Sequence, residues 1–418
     1  MNIAFFLDIN CNHGYSWVEP IAKKNKVIIF TTESSNSKGL YENSNISVHP
    51  ILPNRFPINN PIKLKRSLKK ITNILEENKI EIVHAMYAVP FAFWAYRCNY
   101  GKLIITTRGS DILIEYNKVY LHPDSSFQKI NYGTLRKLFE KSLKKASAIT
   151  STSYSQANIA GTIIKDKRKL FVIRTGVNSS SFTFVNQQTK KEKKEFVIFS
   201  PRIMRPLYNQ DLIVKGFHLF VEKNPHINAR LKLIDFFSFP DYLGSVKKII
   251  SDLKLTSKVE FLPSLTKKEL IQNYFDADVV IMLPESDGTP VSGIETMFSN
   301  TPLLLGDVHY DNDLFNENTV WKLKNKSAEE ISKKLLEIYN CDKVLLHAKT
   351  NSAYEMAFEK ANLLHSLVKI ESMYSELMQT NAIEVEFKFC KNCGQTTIDN
   401  PDLFVNDHEL CFNCEHLN

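Results

Sequence analysis

The chain alternates between short runs of apolar, often β-branched residues and longer stretches in which apolar residues recur every three or four positions. In the first half the short runs fall at 2–8, 26–32, 46–52, 81–87, 102–108, 148–153 and 170–176. Several of them, VIIFTT and KLIITT among them, are apolar on both faces, the mark of strands inside a parallel sheet. Between them, Ile62, Leu64, Leu68, Ile71 and Leu75 predict a helix over 61–77, and a second is expected over 133–146.

Residues 185–195, VNQQTKKEKKE, break the pattern: they are dense in charge and carry no apolar period, as an interdomain linker would. The alternation then resumes. Strands are expected at 195–202, 230–237, 258–262, 278–284 and 301–307, and helices near 209–223, 241–254, 266–275 and 291–299. Ser327-Ala-Glu-Glu330 reads as a capping box opening a helix to about 339, and a further helical stretch spans 352–378. Two βαβ series predict an α/β protein of two doubly wound parallel-sheet domains facing a cleft. The expected division is 1–184, a linker at 185–195, a second domain at 196–350, C-terminal helices at 351–380 and a small cysteine module at 386–418.

Composition narrows the class. The chain has 418 residues, 43% hydrophobic and 23% charged, which excludes disordered and fibrous architectures. No window reaches the roughly 18 uncharged apolar residues of a membrane span. The start, MNIAFFLDIN, lacks a basic n-region and Asp8 ends its apolar run, so a strand rather than a signal peptide is expected, and a cytoplasmic protein with it. Charge is unevenly distributed: residues 1–195 hold 30 Lys/Arg against 14 Asp/Glu, the remainder 23 against 31. The first half therefore suits an anionic membrane surface or a phosphorylated lipid. The basic face would be Lys63, Lys65, Arg66, Lys69 and Lys70 with Arg136, Lys137, Lys141, Lys144 and Lys145. A solvated basic face without a partner is the plainer alternative. These positions lack interleaved aromatics, which argues against nucleic acid.

The densest chemistry follows the run at 278–284, in Asp287-Gly288-Thr289-Pro290-Val291-Ser292-Gly293-Ile294-Glu295. A buried strand ends, a polar turn follows and a helix begins at a proline, whose missing N–H costs nothing there. The free amides of that first turn suit a diphosphate. Glu295 lies one turn on, on the side of Val291 and Ser292, where a carboxylate accepts two ribose hydroxyls. Asp287, in the turn, would hold sugar hydroxyls.

These residues resemble the retaining glycosyltransferases of family 4, which have the GT-B fold. The family's two acids, seven residues apart, are matched by Asp287 and Glu295, with Asp in place of the usual first Glu. The resemblance spans roughly 1–378. It implies that Arg202, in Phe199-Ser-Pro-Arg202, contacts the donor diphosphate, a role suited to a planar, permanently charged fork. The family's lysine about five residues later is Leu207 here, so a second cation is absent or supplied by Arg205. In the first half, Ile82-Val-His84-Ala-Met86 resembles a strand with two histidines, the second replaced by Met86. Thr107-Arg108-Gly109-Ser110-Asp111 resembles an "H-G-S-D" loop with Arg108 in place of the histidine that faces the donor sugar. Arg108 would either hold an anionic group on donor or acceptor, such as a uronic acid carboxylate, or pair with Asp111. His84 would be an acceptor-side or a structural strand-end residue, and Gly14 would sit in the first, glycine-bearing loop. Asp276-Ala-Asp278 looks like a metal-binding pair, but it closes a helix and opens a buried strand, so no catalytic metal is expected.

The resemblance implies a nucleotide diphosphate sugar donor and a glycan acceptor, polyprenyl-diphosphate-linked in surface polysaccharide or lipopolysaccharide assembly. The catalytic set would be Asp287, Glu295 and Arg108, with Arg202 and the amides of Val291–Gly293 stabilising the departing diphosphate. No side chain is an evident nucleophile. Two other functions fit the same architecture: a nucleotide-sugar epimerase or phosphorylase, and a non-catalytic scaffold.

Four of the seven cysteines stand apart from this arrangement. Cys390-x2-Cys393 and Cys411-x2-Cys414, seventeen residues apart, fit a structural four-thiolate Zn2+ site. So short a module cannot bury enough core without its metal. The segment is similar to the zinc ribbon of sugar amidotransferases that build amidino sugars.

Overall fold

A computed structural model describes residues 1–34, 41–122, 126–186, 195–236 and 238–379. The chain divides into two compact units, Met1–Thr175 joined by the segment from Leu363 onward, and Gly176–Asn362. The stretch expected to be a linker lies mostly outside the described residues. The division falls before it, because Phe182 and Val185 already pack into the second unit's core.

The first unit holds strands β1 (Asn2–Phe6), β2 (Lys26–Thr32), β3 (Ile46–Leu52), β4 (Ile82–Met86), β5 (Lys102–Thr107), β6 (Ala148–Ser151) and β7 (Leu170–Val172). Its helices are α1 (Asn12–Ala22), α2 (Pro61–Glu77), α3 (Phe93–Cys98), α4 (Ser126–Lys145) and α5 (Tyr154–Ile163). All strands are parallel, in the order β3-β2-β1-β4-β5-β6-β7. The chain winds outward from β1 in both directions, so the carboxyl ends of β1 and β4 flank a topological switch point, where open α/β sheets bind ligands. α2 follows its period: Leu64, Ile71 and Leu75 are buried, and Asn60 caps it by accepting the Lys63 amide at 2.9 Å.

The second unit begins with the short helix α6 (Thr183–Asn186) and continues with β8 (Phe196–Ile203), α7 (Gln210–Lys223), β9 (Ala229–Ile234), α8 (Pro240–Asp252), β10 (Val259–Leu262) and α9 (Lys267–Asp276). β11 (Val279–Met282), α10 (Val291–Phe298), β12 (Leu303–Leu305), β13 (Trp321–Lys322), α11 (Ala328–Tyr339) and α12 (Lys343–Ala361) complete it. Its sheet is also parallel, in the order β10-β9-β8-β11-β12-β13, with the switch point between β8 and β11.

The expected helix over 352–378 is two helices, broken at Asn362. The second, α13 (Leu363–Met378), belongs to the first unit, where Leu367, Ile370, Met373 and Tyr374 close a core cluster with Phe5, Trp17 and Ile82. The capping box at Ser327 forms by half. Ser327 accepts the Glu330 amide at 3.1 Å, but Glu330 turns to the Lys324 amide at 3.3 Å. No described helix is long and apolar enough to cross a membrane.

Candidate functional site

The first cluster lies at the switch point of the second unit. β8 carries Arg202 to the carboxyl edge, and the turn after β11 carries Asp287 and Ser292 to the same place. The Arg202 guanidinium donates to Ser292 Oγ at 3.0 Å and to Asp287 Oδ2 at 3.3 Å, and it lies 4.2 Å from the Tyr208 ring centroid. Burial opposes the Arg202 charge, and Asp287, Tyr208 and Tyr274 together more than offset this, so its pKa stands above the ordinary value. Asp287 is pushed up by burial, against the pull of Arg202 and the Gly288 amide. The arginine is fixed from behind, since its carbonyl accepts from Gln210 Nε2 at 2.6 Å.

The turn is locked by its own polar residues. Thr289 Oγ1 donates to Asp311 Oδ2 at 2.6 Å, and the Asp311 amide donates to the Gly288 carbonyl at 3.0 Å. Pro290 stands at the N-cap of α10. Both the Gly293 and Ile294 amides donate to the Pro290 carbonyl. This corrects the expected anion site: of the amides at Val291–Gly293, only those of Val291 and Ser292 remain available. Gly293 serves packing instead, since a Cβ there would lie 3.1 Å from Phe315 and 3.2 Å from Pro290.

Glu295 faces inward on the next turn, only 7% exposed. Its Oε2 accepts from Tyr274 at 2.9 Å, and its Oε1 meets the Lys267 ammonium. Both partners come from α9. That helix starts at a complete capping box, in which Thr266 Oγ1 accepts the Glu269 amide at 3.3 Å and Glu269 accepts the Thr266 amide at 2.7 Å. Sequence reasoning missed Lys267 and Tyr274: neither belongs to a motif, and only the packing of α9 on α10 brings them to Glu295. Arg205 does not join this cluster among the described residues; its guanidinium lies over Phe239 at 4.8 Å. Asp278 serves the opposite edge of the sheet, where its carboxylate accepts the Val197 amide at 2.7 Å.

The second cluster lies at the switch point of the first unit. A cavity of about 340 Å³ opens there, lined by Leu7, Asp8, Cys11 and Gly14 after β1, Thr32 and Asn54 at and after the ends of β2 and β3, Met86, Tyr87, Val89, Pro90 and Phe91 from the end of β4, and Arg108 after β5. The Arg108 guanidinium lies 5.0 Å from the Trp17 ring centroid. Asp111 is fully buried, and its carboxylate accepts the amides of Ala88 at 2.7 Å, Arg108 at 3.1 Å, Gly109 at 3.0 Å and Ile112 at 3.0 Å. Burial raises its pKa and these amides lower it. Asp111 therefore clamps the loop, which corrects its expected acceptor-side role. Gly109 sits at φ +133°, a conformation only glycine adopts without strain. Ser110 Oγ bonds the Tyr87 hydroxyl.

Of the two readings of His84, the geometry fits the structural strand-end residue and not the acceptor-side one. Its ring is wholly buried, Nδ1 hydrogen-bonded to Tyr374 Oη at 2.6 Å and Nε2 to Thr106 Oγ1 at 2.6 Å. Burial lowers its pKa to about 3, helped by Arg108, so it is a neutral scaffold residue. The metal candidates Cys390, Cys393, Cys411 and Cys414 lie outside the described residues. Among the described residues no group of three or more His, Cys, Asp or Glu could hold a metal ion.

Each unit is a parallel-sheet Rossmann-like domain, a fold consistent with that of GT-B glycosyltransferases. Residues 2–153 match the family described as Glycosyl transferase 4-like, and residues 181–355 match Glycosyl transferases group 1, so the chain carries both glycosyltransferase domains. The chain is 28% identical over 215 residues to an O-antigen chain mannosyltransferase of Salmonella typhimurium, covering 50% of this chain and 56% of that one. It is 20% identical to an N-acetyl-alpha-D-glucosaminyl L-malate synthase of Bacillus anthracis, over 62% of this chain and 65% of that one. The chain thus spans less than two thirds of the length of these relatives. Among solved structures, a glycosyltransferase from Rickettsia africae superposes with a TM-score of 0.70 at 16% identity, over 91% of this chain and 99% of that one. Anabaena HepE in complex with UDP-glucose gives 0.70 at 15% identity, over 90% and 100%. At these identities the structures establish the fold alone.

Proposed function

We propose that the protein is a retaining glycosyltransferase that moves a hexosyl group from a nucleotide diphosphate sugar to a glycan acceptor in surface polysaccharide or lipopolysaccharide assembly. The observation that carries this is Arg202, held between Asp287 and Ser292 beside the available amides of Val291 and Ser292. A cation and a helix start converge there on one point, as a departing diphosphate requires. Glu295, one turn away, is placed for the ribose hydroxyls. The UDP-glucose in the Anabaena structure and the O-antigen role in the name of the Salmonella relative support the same reading.

In this mechanism negative charge grows on the diphosphate as the glycosidic bond breaks, and Arg202 with the two amides stabilises it. Their orientation is fixed before the reaction, so no reorganisation is needed when the charge develops. The acceptor hydroxyl attacks from the face the diphosphate leaves and passes its proton to the departing diphosphate oxygen, which retains the anomeric configuration.

A lipid-linked acceptor at an anionic leaflet is part of the proposal. The five basic residues of α2 are all exposed, as are Arg136, Lys137, Lys141, Lys144 and Lys145 of α4, while Leu64, Ile71 and Leu75 anchor α2 beneath its basic face. Co-sedimentation with phosphatidylglycerol vesicles, lost in 0.5 M salt, is the expected result. The C-terminal cysteine spacing supports a structural Zn2+ site, and one zinc per chain, lost on Cys390→Ser with Cys411→Ser, would bear that out.

The donor reading is tested by thermal shift of the full chain with UDP, GDP, ADP and CMP, with Glu295→Ala alongside. One diphosphate should stabilise the wild type by several degrees and the variant much less. If no nucleotide shifts either protein, the donor site is wrongly assigned and a scaffold role comes forward.

A further inference from the structure

We propose that Lys267, at the start of α9, is the second cation of the nucleotide site in the second unit and binds the phosphate attached to the ribose. This rests on the nucleotide-sugar reading and adds a donor-binding residue to it. The need for such a cation follows from charge. Arg202 is already paired with Asp287 at 3.3 Å, and Asp311 lies close enough to Asp287 to help burial push its pKa up. A nucleoside diphosphate brings further negative charge into this cluster, and buried charge without a counter-charge is costly. Arg205 does not supply one, since its guanidinium lies over Phe239.

Lys267 reaches the same face of α10 as Arg202. Ser292 and Glu295 are three residues apart on that helix and so are neighbours, about 5–6 Å between their Cβ atoms. Arg202 donates to the first and Lys267 to the second. The Tyr274 hydroxyl, which donates to Glu295 Oε2 at 2.9 Å, also feels the Arg202 charge, so the four groups form one patch. In the transfer mechanism Arg202 and the amides of Val291 and Ser292 hold the departing diphosphate, and Glu295 takes the ribose hydroxyls. The phosphate next to the ribose links these two positions, within reach of a lysine seated on Glu295. An ammonium has three donors. Glu295 takes one, and the other two have no partner among the described residues. The side chain is 53% exposed, with the Phe182 ring centroid 5.9 Å from its nitrogen, so a ligand can approach it from solvent. Its placement also breaks a local rule: it is the first residue of α9, where a cation opposes the helix macrodipole. Departures of this kind concentrate at functional sites.

The rival role for Lys267 is to orient Glu295 and touch no ligand, and calorimetry on the full chain separates the two. The ligands are inorganic pyrophosphate, which has no ribose, and the series uridine, UMP and UDP. Lys267→Gln and Lys267→Arg are run beside the wild type, with Lys268→Gln as a control for the loss of a neighbouring charge. Lys267→Gln should bind pyrophosphate, UMP and UDP about tenfold more weakly, the worth of a charge-assisted hydrogen bond, while uridine changes less than about twofold. Lys267→Arg should keep most of the affinity, and Lys268→Gln should stay within about twofold of the wild type for every ligand. If GDP is the nucleotide bound, guanosine and GMP replace the uridine pair. A pyrophosphate Kd unchanged in Lys267→Gln, or uridine weakened as much as UMP, leaves Lys267 as a support for Glu295 and overturns the proposal. Failure of UDP, GDP, ADP and CMP to bind the wild type would overturn the transfer reading instead. Pyrophosphate then decides on Lys267 alone: weaker binding in Lys267→Gln keeps it as an anion-binding residue, and equal or absent binding in both proteins counts against it.

Discussion

Replacing Glu295 by glutamine keeps the shape of the side chain and removes its charge. The carboxylate is only 10% exposed, while its Lys267 partner is 53% exposed. The ion pair is therefore screened on the lysine side and contributes about 0–1 kcal/mol. The Tyr274 hydrogen bond is buried and charge-assisted, and a neutral acceptor weakens it by about 1 kcal/mol. Together these place the cost to stability at about 1–2 kcal/mol, a fall in Tm of a few degrees. Nucleotide binding should suffer more. If both ribose hydroxyls donate to Glu295, loss of the charge costs about 1 kcal/mol for each, and UDP binding weakens about 30-fold. The discriminating measurement is the ratio of Kd for 2′-deoxy-UDP to that for UDP, by calorimetry. Wild type should prefer UDP by about five- to tenfold, since one hydroxyl–carboxylate bond is lost in the deoxy ligand, and Glu295→Gln should prefer it only about twofold. If GDP is the nucleotide bound, the guanosine pair replaces these. Equal ratios in the two proteins, or no preference in the wild type, would refute the ribose role and leave Glu295 as a packing acid between Tyr274 and Lys267.

Three further outcomes follow from the geometry. Arg202→Lys places a single ammonium where the guanidinium bridges Ser292 and Asp287 and stacks on Tyr208, so nucleoside diphosphate affinity should fall about tenfold in the same titration; an unchanged Kd would show that charge alone suffices. His84 is held neutral, with its pKa near 3, while in the unfolded chain it protonates below about 6.5. Its contribution is therefore complete above pH 6.5 and is lost as pH falls toward 3. The stability gap between wild type and His84→Gln in urea melts should narrow by about 1.4 kcal/mol per pH unit below 6.5, and a constant gap would contradict this. Gly216→Ala would set a Cβ 2.5 Å from Ile331 Cβ, where α7 meets α11, and should cost about 1–3 kcal/mol in thermal melts; an unaltered Tm would mean the helices are not in such close contact.

How much of this was legible in the chain can be judged from particular elements. α2 runs over Pro61–Glu77, as its apolar period predicts, because one-sided burial is written directly into residue spacing. The strands flanking the switch points were legible for the same reason: fully buried parallel strands leave continuous apolar runs. Short or half-exposed elements, such as β13 at Trp321–Lys322, carry too few residues to show a period. The Ser327 box illustrates a different limit. Spacing permits both of its hydrogen bonds, and a competing donor, the Lys324 amide, takes Glu330 away.

Local chemistry was set by the order of residues along the chain: the turn from Asp287 to Ser292, the start of α10 at Pro290, and the presence of Arg202 and Arg108 at strand ends. Partnership between distant residues was not. Arg202 meets residues 85 and 90 positions away, His84 meets Tyr374 290 positions away, and Glu295 is held by two residues of α9. Periodicity says that a face is apolar but not what covers it, so the return of α13 to the first unit could not be read. A polar residue near a strand end looks the same whether it lines a cavity, as Arg108 does, or is consumed by backbone amides, as Asp111 is. Only packing separates the two, because burial and the competition for hydrogen bonds are properties of the assembled core.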